Sequence, residues 1–186
     1  MLIFRKASEE DIDSIEQIYN HIHTCEEQGK VQIGWVRGIY PTRSTAEAAI
    51  CRGDLFVAEE DGLIVGSAII NKHQVPEYSL GRWHDDAPDE MVMVLHTLVV
   101  SPHQSGKGYG KSFVDFYEKY ALENNCPYLR MDTNEKNTRA RKMYKKLGYE
   151  ETGVVPCNFN GIEGIGLVLL EKKLDKKDPK WRIIKQ

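Results

Sequence analysis

Three glycines occupy alternate positions in the stretch SPHQSGKGYGKSF: Gly106, Gly108 and Gly110. The stretch follows a strand-like apolar run and opens an amphipathic helical pattern, so its backbone N–H groups lie uncovered at the positive end of a helix dipole. Lys107 and Lys111 add local positive charge. This arrangement predicts a phosphate-binding loop, although a loop that needs glycine only for turning gives the same spacing.

One interpretation of the loop is a nucleotide-binding P-loop. The segment SGKGYGKS lacks only the first glycine of G-x-x-x-x-G-K-[ST], and it would place Lys111 on the β- and γ-phosphates and Ser112 on Mg²⁺. The later aspartate suited to that metal is Asp132, at the end of the segment YLRMD. That segment is barely hydrophobic, and two antiparallel strand signals precede the loop, so the sequence favours this interpretation less.

A second interpretation rests on two motifs in the right order. VVSPHQSGKGYGKSF resembles motif A of the GNAT acyltransferase superfamily, in which a strand ends in a V-x-P-like step and a loop [QR]-x-x-G-x-[GA] opens a helix. Ser105 stands where the family prefers Gln or Arg, and Gln104 lies one place too early. A side-chain contact would therefore be lost while the backbone amides remain. Downstream, NTRARKMYKKLGY matches the family segment N-x-x-A-x-x-[FM]-Y-x-x-x-G-[FY].

The resemblance covers residues 55–174 and implies that acetyl-coenzyme A (acetyl-CoA) lies between the fourth and fifth strands. Its diphosphate would sit on the loop amides, and its pantetheine arm would pair with the backbone of the preceding strand. Asn137 would contact the pantetheine or order the start of its helix. The residues implied at the coenzyme are Leu98, Val99, Val100, Ser105, Gly106, Lys107, Gly108, Tyr109, Gly110, Lys111, Ser112, Asn137 and Tyr144.

The implied chemistry is acyl transfer from a thioester to an amine. A lysine-like amine has a pKa near 10.4 and needs a base, and a departing thiolate with a pKa of about 8.5 benefits from a proton donor. Tyr144 matches the family's donor position; packing against the sheet is its other explanation. His96, in the run MVMVLHTLVV, is the candidate base or a core histidine, with Glu90, another carboxylate or water as alternatives.

No cysteine lies beside either motif, so we expect direct transfer in a ternary complex, without a covalent enzyme intermediate. A non-catalytic acyl-CoA-binding module is the alternative from another functional class. The family resemblance implies that two loops wall the acceptor pocket, with Trp35 and Tyr40 in one and Trp83 and Glu90 in the other. An acidic and aromatic rim would attract a cationic small-molecule or peptide amine, whereas a solvated charge run is the plainer explanation.

Composition excludes several other classes. The chain has 186 residues, 41% hydrophobic and 28% charged, with a formal net charge of -3, so we expect a globular protein that binds no nucleic acid. The four cysteines form no CxxC pair, which predicts free thiols and no metal site. The apolar runs are too short to span a membrane, and the N-terminus does not resemble a signal peptide. We therefore expect a cytoplasmic protein without membrane contacts.

The elements that must position these residues alternate in type. We predict one domain over residues 1–174 in the order β-α-α-β-β-β-α-β-α-β-β, and a polar tail at 175–186. The resemblance implies an α/β (α+β) fold with a mixed, mostly antiparallel splayed sheet of about seven strands and about four helices, and it allows a homodimer through the C-terminal strands. The predicted strands are 2–5, 55–60, 63–71, 91–100, 128–133, 149–155 and 165–174. The predicted helices run from Ser8 to near Gly29, from Ser44 or Thr45 onward, from 107 to 124 and from 138 to 147.

Overall fold

The computed structural model describes residues 1–159 and 161–175, which form one seven-stranded sheet with four α-helices. The strands are β1 Leu2–Lys6, β2 Leu55–Glu60, β3 Leu63–Asn71, β4 Val92–Val100, β5 Tyr128–Asn134, β6 Glu150–Phe159 and β7 Ile162–Lys173. The helices are α1 Ile12–Glu27, α2 Arg43–Arg52, α3 Tyr109–Glu123 and α4 Thr138–Lys146. The predicted order and fold class are therefore confirmed.

Local sequence signals set several of these boundaries. Asp61 and Gly62 both adopt positive φ, 52° and 79°, as a two-residue turn between antiparallel strands requires, and β2 and β3 have the bounds predicted from them. Ser8 and Asp11 cap each other at the start of a short 3₁₀ turn that leads into α1. These signals are read reliably because both partners of each contact lie within a few residues in the sequence.

Several element boundaries differ from the prediction. Helix α1 ends at Glu27, and α2 begins at Arg43 because Thr42, rather than Ser44, caps it in a box with Thr45. Helix α3 begins at Tyr109 because Gly108 is left-handed at the N-cap. Strands β6 and β7 are longer than predicted and form one long hairpin, since Pro156 and the glycines of β7 interrupt the alternation that marks a strand in sequence.

The sheet order is β1-β2-β3-β4-β5-β7-β6, and every neighbouring pair is antiparallel except β4 and β5. The parallel pair runs only from Val92 opposite Tyr128 to Leu95 opposite Met131. Beyond that point the two strands continue without pairing to each other. The fold therefore opens a wedge in the middle of its sheet.

Two groups of elements cover the sheet faces. Helices α3 and α4 cover one face, where Phe113, Tyr117 and Tyr144 belong to the same buried cluster as Leu129 and Met131 of β5. Helix α1 covers part of the other face, and the segment 72–91 between β3 and β4 covers the rest, where Tyr78 is buried against β4 and β7. Both faces of the sheet around the wedge are therefore covered by side chains from segments that are distant in the sequence.

Four further sequence predictions concern the C-terminal tail, the membrane, metal ions and dimerisation. Of the predicted tail at 175–186, residues 176–186 lie outside the described residues. No helix within the described part of the chain is both long and apolar enough to cross a bilayer. Within those same residues no three His, Cys, Asp or Glu side chains come together as a set that could hold a metal ion. Strand β6 is a sheet edge, and the homodimer through it stays a prediction.

A buried ion pair attaches α3 to the sheet. The Lys172 ammonium on β7 lies 2.8 Å from a carboxylate oxygen of Glu118, whose side chain is 1% exposed, and it also donates to the Leu147 carbonyl. We predict that Lys172→Met lowers the free energy of unfolding by about 3 kcal/mol, because it removes an ammonium beside a buried carboxylate. Urea denaturation measures the change.

The matched control is Lys119→Met, which removes the exposed i,i+4 pair with Glu123 on the same helix. A surface pair of this kind contributes less than about 0.5 kcal/mol, so the control should unfold like the unaltered chain. Equal destabilisation by both substitutions would contradict a special role for the buried pair.

Candidate functional site

The wedge between β4 and β5 begins at an irregularity in β4. Its register against β3 shifts between Ile69 opposite His96 and Ser67 opposite Val99, so β4 carries an extra residue there. Thr97, in this bulge, has a φ of 50°, which is strained for a β-branched residue. Its hydroxyl is hydrogen-bonded to the hydroxyl of Tyr40. The bulge bends β4 away from β5 and opens a cavity of about 660 Å³.

The glycine loop, residues 105–112, provides a row of unused donors. No hydrogen-bond acceptor for the amides from Gly106 to Lys111 is found within the described residues. The first intrahelical bond is donated by Ser112 to the Gly108 carbonyl at 3.0 Å, so the Ser112 amide is not available to a ligand. These uncovered N–H groups lie at the N-terminus of a 15-residue helix, which is the geometry that binds phosphate.

The glycines of the loop are required for different reasons. Gly106 and Gly108 adopt φ of 88° and 85°, where other residues are strained, and a Cβ on either would meet nothing within 4 Å. Gly110 lies inside α3, where a Cβ would come 3.3 Å from the sulfur of Met143 on α4. The first two glycines therefore shape the loop, and the third allows α4 to approach it.

Other side chains of the loop point to different partners. The Tyr109 ring is buried and its hydroxyl donates to Glu60, so only its backbone N–H faces the loop. Lys111 is paired with Asp115 at 2.6 Å, and the Lys107 ammonium lies 5.9 Å from the centre of the Tyr109 ring. The contribution of the loop is therefore made mainly by main-chain donors.

Arg139 is a residue that the sequence reasoning missed. It belongs to the first turn of α4, yet its guanidinium donates to the Ser105 hydroxyl at 2.8 Å. A cation thus reaches the position where the motif lacks its usual Gln or Arg. No local sequence pattern predicts this contact, because 34 residues separate Arg139 from Ser105 in the sequence.

Tyr144 lies in the wedge. It is 6% exposed, lines the cavity, and packs edge-on against Tyr149 with ring centres 5.9 Å apart. Its hydroxyl makes no hydrogen bond with any other described residue. Burial, together with the nearby Asp132 carboxylate, raises its pKa well above the usual value of 10, so the hydroxyl stays protonated at physiological pH. Such a group can donate a proton into the cavity.

Asn137 caps α4 and also lines the cavity. Its side-chain oxygen accepts from the Ala140 amide at 3.2 Å, which accounts for the helix-ordering role that the sequence left open. On β4, Leu98 lines the cavity, whereas Val99 packs into the core beneath α1 and Val100 packs toward α3. The outer backbone edge from Leu98 to Val100 is not paired to β5, so it is free to pair with an extended ligand.

His96 lines the cavity, but its environment disfavours a strong base. Its Nε2 lies 3.0 Å from the His73 carbonyl and 3.2 Å from the Asn71 side-chain oxygen, so Nε2 carries the hydrogen in the neutral ring. Burial lowers its pKa to about 4. The imidazole is therefore neutral at physiological pH and binds a proton only weakly.

Aromatic side chains form one wall of the cavity. Trp35 and Tyr40 line it as predicted, with ring centres 6.0 Å apart, and Phe159 at the end of β6 stacks edge-on against Tyr40 at 4.6 Å. Phe159 was not anticipated, since it lies outside both motifs. The wall can cover an apolar body or face a cation with its rings.

Two predicted pocket residues lie elsewhere. Trp83 is beneath the Arg130 guanidinium, 4.2 Å from its ring, and donates to the Tyr78 carbonyl. Glu90 is exposed before the start of β4, at the end where β4 and β5 are still paired. Neither residue lines the cavity. The loop does reach the cavity, but through Val75, Pro76 and Glu77, because Tyr78 and Trp83 anchor the rest of it over β5 and β7.

Two further cavity residues carry reactive groups. Asp132, previously considered only as a P-loop metal ligand, accepts from the Tyr78 hydroxyl at 2.8 Å, and burial raises its pKa to about 6. Cys157 on β6 donates to Glu77 at 3.4 Å, and burial raises its pKa to about 11. Although no cysteine lies beside the motifs in sequence, the fold brings this one to the cavity. Its raised pKa keeps it a thiol.

Comparisons with known proteins concern the family and the fold of the chain. The model of the Acetyltransferase (GNAT) family matches residues 12–149. The uncharacterized N-acetyltransferase MJ1530 of Methanocaldococcus jannaschii is 24% identical over 179 residues, 96% of each chain. A GNAT-family acetyltransferase from Streptococcus agalactiae has a TM-score of 0.73 at 24% identity, covering 94% of this chain and 96% of its own. The Salmonella typhimurium acetyltransferase yncA, solved with its cofactor acetyl-CoA, has a TM-score of 0.64 at 18% identity, covering 94% of this chain and 95% of its own.

We predict that Gly108→Ala weakens coenzyme A binding about five- to thirtyfold. The residue must be left-handed for the flanking amides to face one ligand, and a side chain there adds strain of about 1–2 kcal/mol to the binding conformation. Calorimetry with coenzyme A measures the dissociation constant.

Gly29→Ala is the matched control for backbone strain. Gly29 also has a positive φ, 68°, with nothing near its missing Cβ, but it lies after α1 and outside the site. It should leave coenzyme affinity unchanged. Unaltered affinity in Gly108→Ala would show that the loop amides do not hold the coenzyme.

Proposed function

The chain belongs to the GNAT family of acetyltransferases, because the family match extends over most of its length, and on this premise we propose how its site works. The protein is an acetyl-CoA-dependent N-acetyltransferase, in which acetyl-CoA is a substrate that supplies the acetyl group. We propose direct transfer to a primary amine in a ternary complex, with Tyr144 protonating the coenzyme thiolate. The observation that carries this proposal is the cavity hydroxyl of Tyr144, which has no hydrogen-bond partner among the described residues.

The donor half of the site fits coenzyme A. The amides from Gly106 to Lys111 would hold the diphosphate, and the unpaired backbone edge of Leu98–Val100 would pair with the pantetheine arm. Asn137 lines the path between these two places and Tyr144. Both proposed contacts use main-chain groups, so they depend on the loop conformation and the β4 bulge rather than on particular side chains.

Tyr144 suits the role of proton donor. A thiolate with a pKa of about 8.5 leaves more readily when it is protonated as the C–S bond breaks. The raised pKa of Tyr144 keeps its hydroxyl protonated at physiological pH. Its ring is fixed by packing against Tyr149, which holds the hydroxyl on the cavity side.

Cys157 supports direct transfer over an acyl-enzyme route. A cysteine nucleophile needs its thiolate form, which nearby cations or a helix N-terminus usually stabilise. Here burial is the main cause that raises the Cys157 pKa to about 11, and Glu77 and Asp132 act in the same direction. The thiol is therefore a poor nucleophile at physiological pH.

The acceptor would enter the cavity between the aromatic wall and the segment 72–91. Trp35, Tyr40 and Phe159 cover one side of this space, and Glu77 and Asp132 give it negative charge. Both features favour a cationic amine, either a small molecule or a peptide amine. The family identification removes the support for a P-loop, and it makes a purely binding role the less economical alternative.

A direct assay tests the proposed function. Loss of thioester absorbance in a panel of primary amines reports transfer without a thiol reagent, which exposed Cys51 would consume. Calorimetry with acetyl-CoA and with ATP-Mg compares the two phosphate interpretations in parallel. Binding of acetyl-CoA without transfer to any amine would favour the non-catalytic module.

We predict that Tyr144→Phe lowers kcat by about 100-fold or more while the dissociation constant of acetyl-CoA changes less than about twofold. The ring and its packing remain, and only the proton donor is lost. Steady-state kinetics and calorimetry measure the two quantities.

Tyr149→Phe is the control, because this neighbouring tyrosine contacts the same ring but does not line the cavity. It should keep kcat within about twofold. If Tyr144→Phe turns over every tested amine at the original rate, the proton donor is a different group.

We predict that Arg139→Gln raises KM for acetyl-CoA about three- to tenfold with little effect on kcat, since a cation beside the diphosphate loop contributes on the order of 1 kcal/mol. Lys136→Gln, an exposed residue just before α4, is the control for net charge. Rising salt should reduce the difference between Arg139→Gln and the unaltered enzyme. A KM equal to that of the control would exclude Arg139 from the coenzyme site.

A further inference from the structure

The carboxylates that are almost fully buried within the described residues all have basic partners, whereas the half-buried Asp132 in the cavity has none. Four carboxylates outside the cavity are almost fully buried, and each lies within ion-pair distance of a basic side chain. The pairs are Asp11 with Arg5 at 2.7 Å, Asp54 with Arg52 at 2.9 Å, Glu118 with Lys172 at 2.8 Å and Glu171 with His84 at 2.8 Å. Asp132 makes no such pair within the described residues. Its one hydrogen bond from a side chain comes from the neutral hydroxyl of Tyr78.

The groups around Asp132 do not compensate its charge. The titratable groups that interact with it are Tyr78 and Glu77 from the segment 72–91, Tyr40 from the segment before α2, Tyr144 from α4 and Cys157 from β6. All of them are neutral or negative at physiological pH. Three basic side chains line the cavity wall: Arg52, His73 and His96. Arg52 is bonded to Asp54 through two nitrogens, and His73 is exposed and makes no ion pair with Asp132. His96 is neutral, because burial lowers its pKa to about 4.

A purely structural role does not account for this carboxylate. The hydrogen bond to Tyr78 holds the segment 72–91 over β5, but the amide oxygen of an asparagine would accept that bond equally well, without a buried charge. A carboxylate that is partly withdrawn from water without a cation is unfavourable, and this loss of hydration raises the pKa of Asp132 to about 6. Asp132 opens onto the cavity, so a ligand can supply the missing cation.

We propose that Asp132 is the counter-ion of the acceptor ammonium and takes its first proton. The proposal rests on the proposed function, since it concerns the acceptor half of the same site. It assigns the base that the sequence left open between His96, another carboxylate and water. It also narrows the acceptor to amines that arrive as cations.

The proton transfers balance as follows. The acceptor enters as an ammonium, and one of its protons passes to the Asp132 carboxylate, which leaves the nitrogen with a lone pair. That lone pair forms the C–N bond to the thioester carbonyl carbon, the C–S bond breaks, and the sulfur receives the Tyr144 proton. The nitrogen then loses its second proton, which restores the Tyr144 hydroxyl. Asp132 returns its proton to solvent, so the net products are an amide, a thiol and one proton.

Asp132 is a better proton acceptor than the other candidates. Its pKa is raised to about 6 whereas that of His96 is lowered to about 4, so Asp132 is the stronger proton acceptor of the two. It is still ionised at pH 7, so it can attract the ammonium before it accepts the proton. Glu90, the other sequence candidate, lies outside the cavity.

The surroundings of Asp132 indicate the acceptor class. Glu77 adds a second negative charge to the wall, and the rings of Trp35, Tyr40 and Phe159 stand across the same cavity. Carboxylates recognise the ammonium, and the rings cover an apolar or aromatic body attached to it. An alcohol of the same shape would leave Asp132 without its cation, so it should be rejected.

The first test compares Asp132→Asn with the unaltered enzyme. The probes are phenethylamine, tyramine and putrescine, with 2-phenylethanol, tyrosol and 1,4-butanediol as their neutral analogues. For the best amine we expect kcat/KM to fall about 100-fold or more in Asp132→Asn, with KM for acetyl-CoA within about twofold. Asparagine keeps the bond from Tyr78, so the fold should persist. The control is Asp13→Asn, which removes one negative charge at an exposed position of α1. Arg43 loses its bond to Asp13 in this variant but keeps those to Glu16 and Glu47.

The second test uses pH. In the unaltered enzyme kcat/KM for the amine should fall as the pH drops through about 6, because protonation of Asp132 removes both the counter-ion and the base. This acidic limb should be absent in Asp132→Asn. In Tyr78→Phe it should move to higher pH, since the lost hydrogen bond had stabilised the carboxylate and lowered its pKa. A residue with only a structural role would not shift the limb.

The outcomes separate this proposal from the proposed function. If the unaltered enzyme acetylates an amine and Asp132→Asn does so with the same kcat/KM and the same acidic limb, Asp132 is not the counter-ion, while the transferase assignment stands. Acetylation of a neutral alcohol as fast as its amine would overturn the acceptor class. If the unaltered enzyme binds acetyl-CoA but transfers acetyl to none of the amines, the proposed function fails, and the role of Asp132 fails with it.

Discussion

The site depends on one interruption in the sheet. The parallel pairing of β4 and β5 stops after Leu95 and Met131, and the extra residue around Thr97 turns β4 outward. Continued pairing would have satisfied both strand edges and filled the space with a regular ladder. Divergence instead leaves a free main-chain edge on β4 and exposes the ends of both strands to a common cavity. The positions of the glycine loop, α4 and the aromatic wall all follow from this opening.

Charge differs between the two ends of the site, which are the glycine loop and the cavity. At one end, the unused amides of the glycine loop, the α3 dipole and Arg139 make a cationic environment suited to phosphate. At the other end, Glu77 and Asp132 make an anionic environment suited to an amine. Tyr144 lies between the two ends and is neutral, so it can hand over a proton to a thiolate without attracting either substrate. In the proposed arrangement, opposite charges would direct the two substrates to opposite ends of the site.

Sequence reasoning succeeded where the relevant contacts are local or belong to a motif. The Asp61-Gly62 turn, the Ser8 cap and the placement of Tyr144 on α4 all follow from residues a few positions apart. It failed where the fold joins distant segments. Arg139 reaches Ser105 across 34 residues, and Cys157 and Phe159 reach the cavity because β6 and β7 form a longer hairpin than their glycines suggested. Trp83 is a local pattern that misled the prediction. Its position beside acidic residues suggested the rim of a pocket, but its ring packs against the Arg130 guanidinium.

The contrast between Asp11 and Asp132 distinguishes a structural charge from a functional one. The hydrogen bond from Arg5 lowers the pKa of Asp11 in the folded protein, so its contribution to stability is present above the pKa of the unfolded chain and is lost as the pH falls. Burial raises the pKa of Asp132 to about 6, so its charge opposes folding at neutral pH, and this cost diminishes as the pH falls through about 6. A cation bound at Asp132 offsets that cost, whereas a neutral molecule of the same shape does not. If Asp132 is the counter-ion, this difference between a cation and a neutral molecule would favour amines as acceptors.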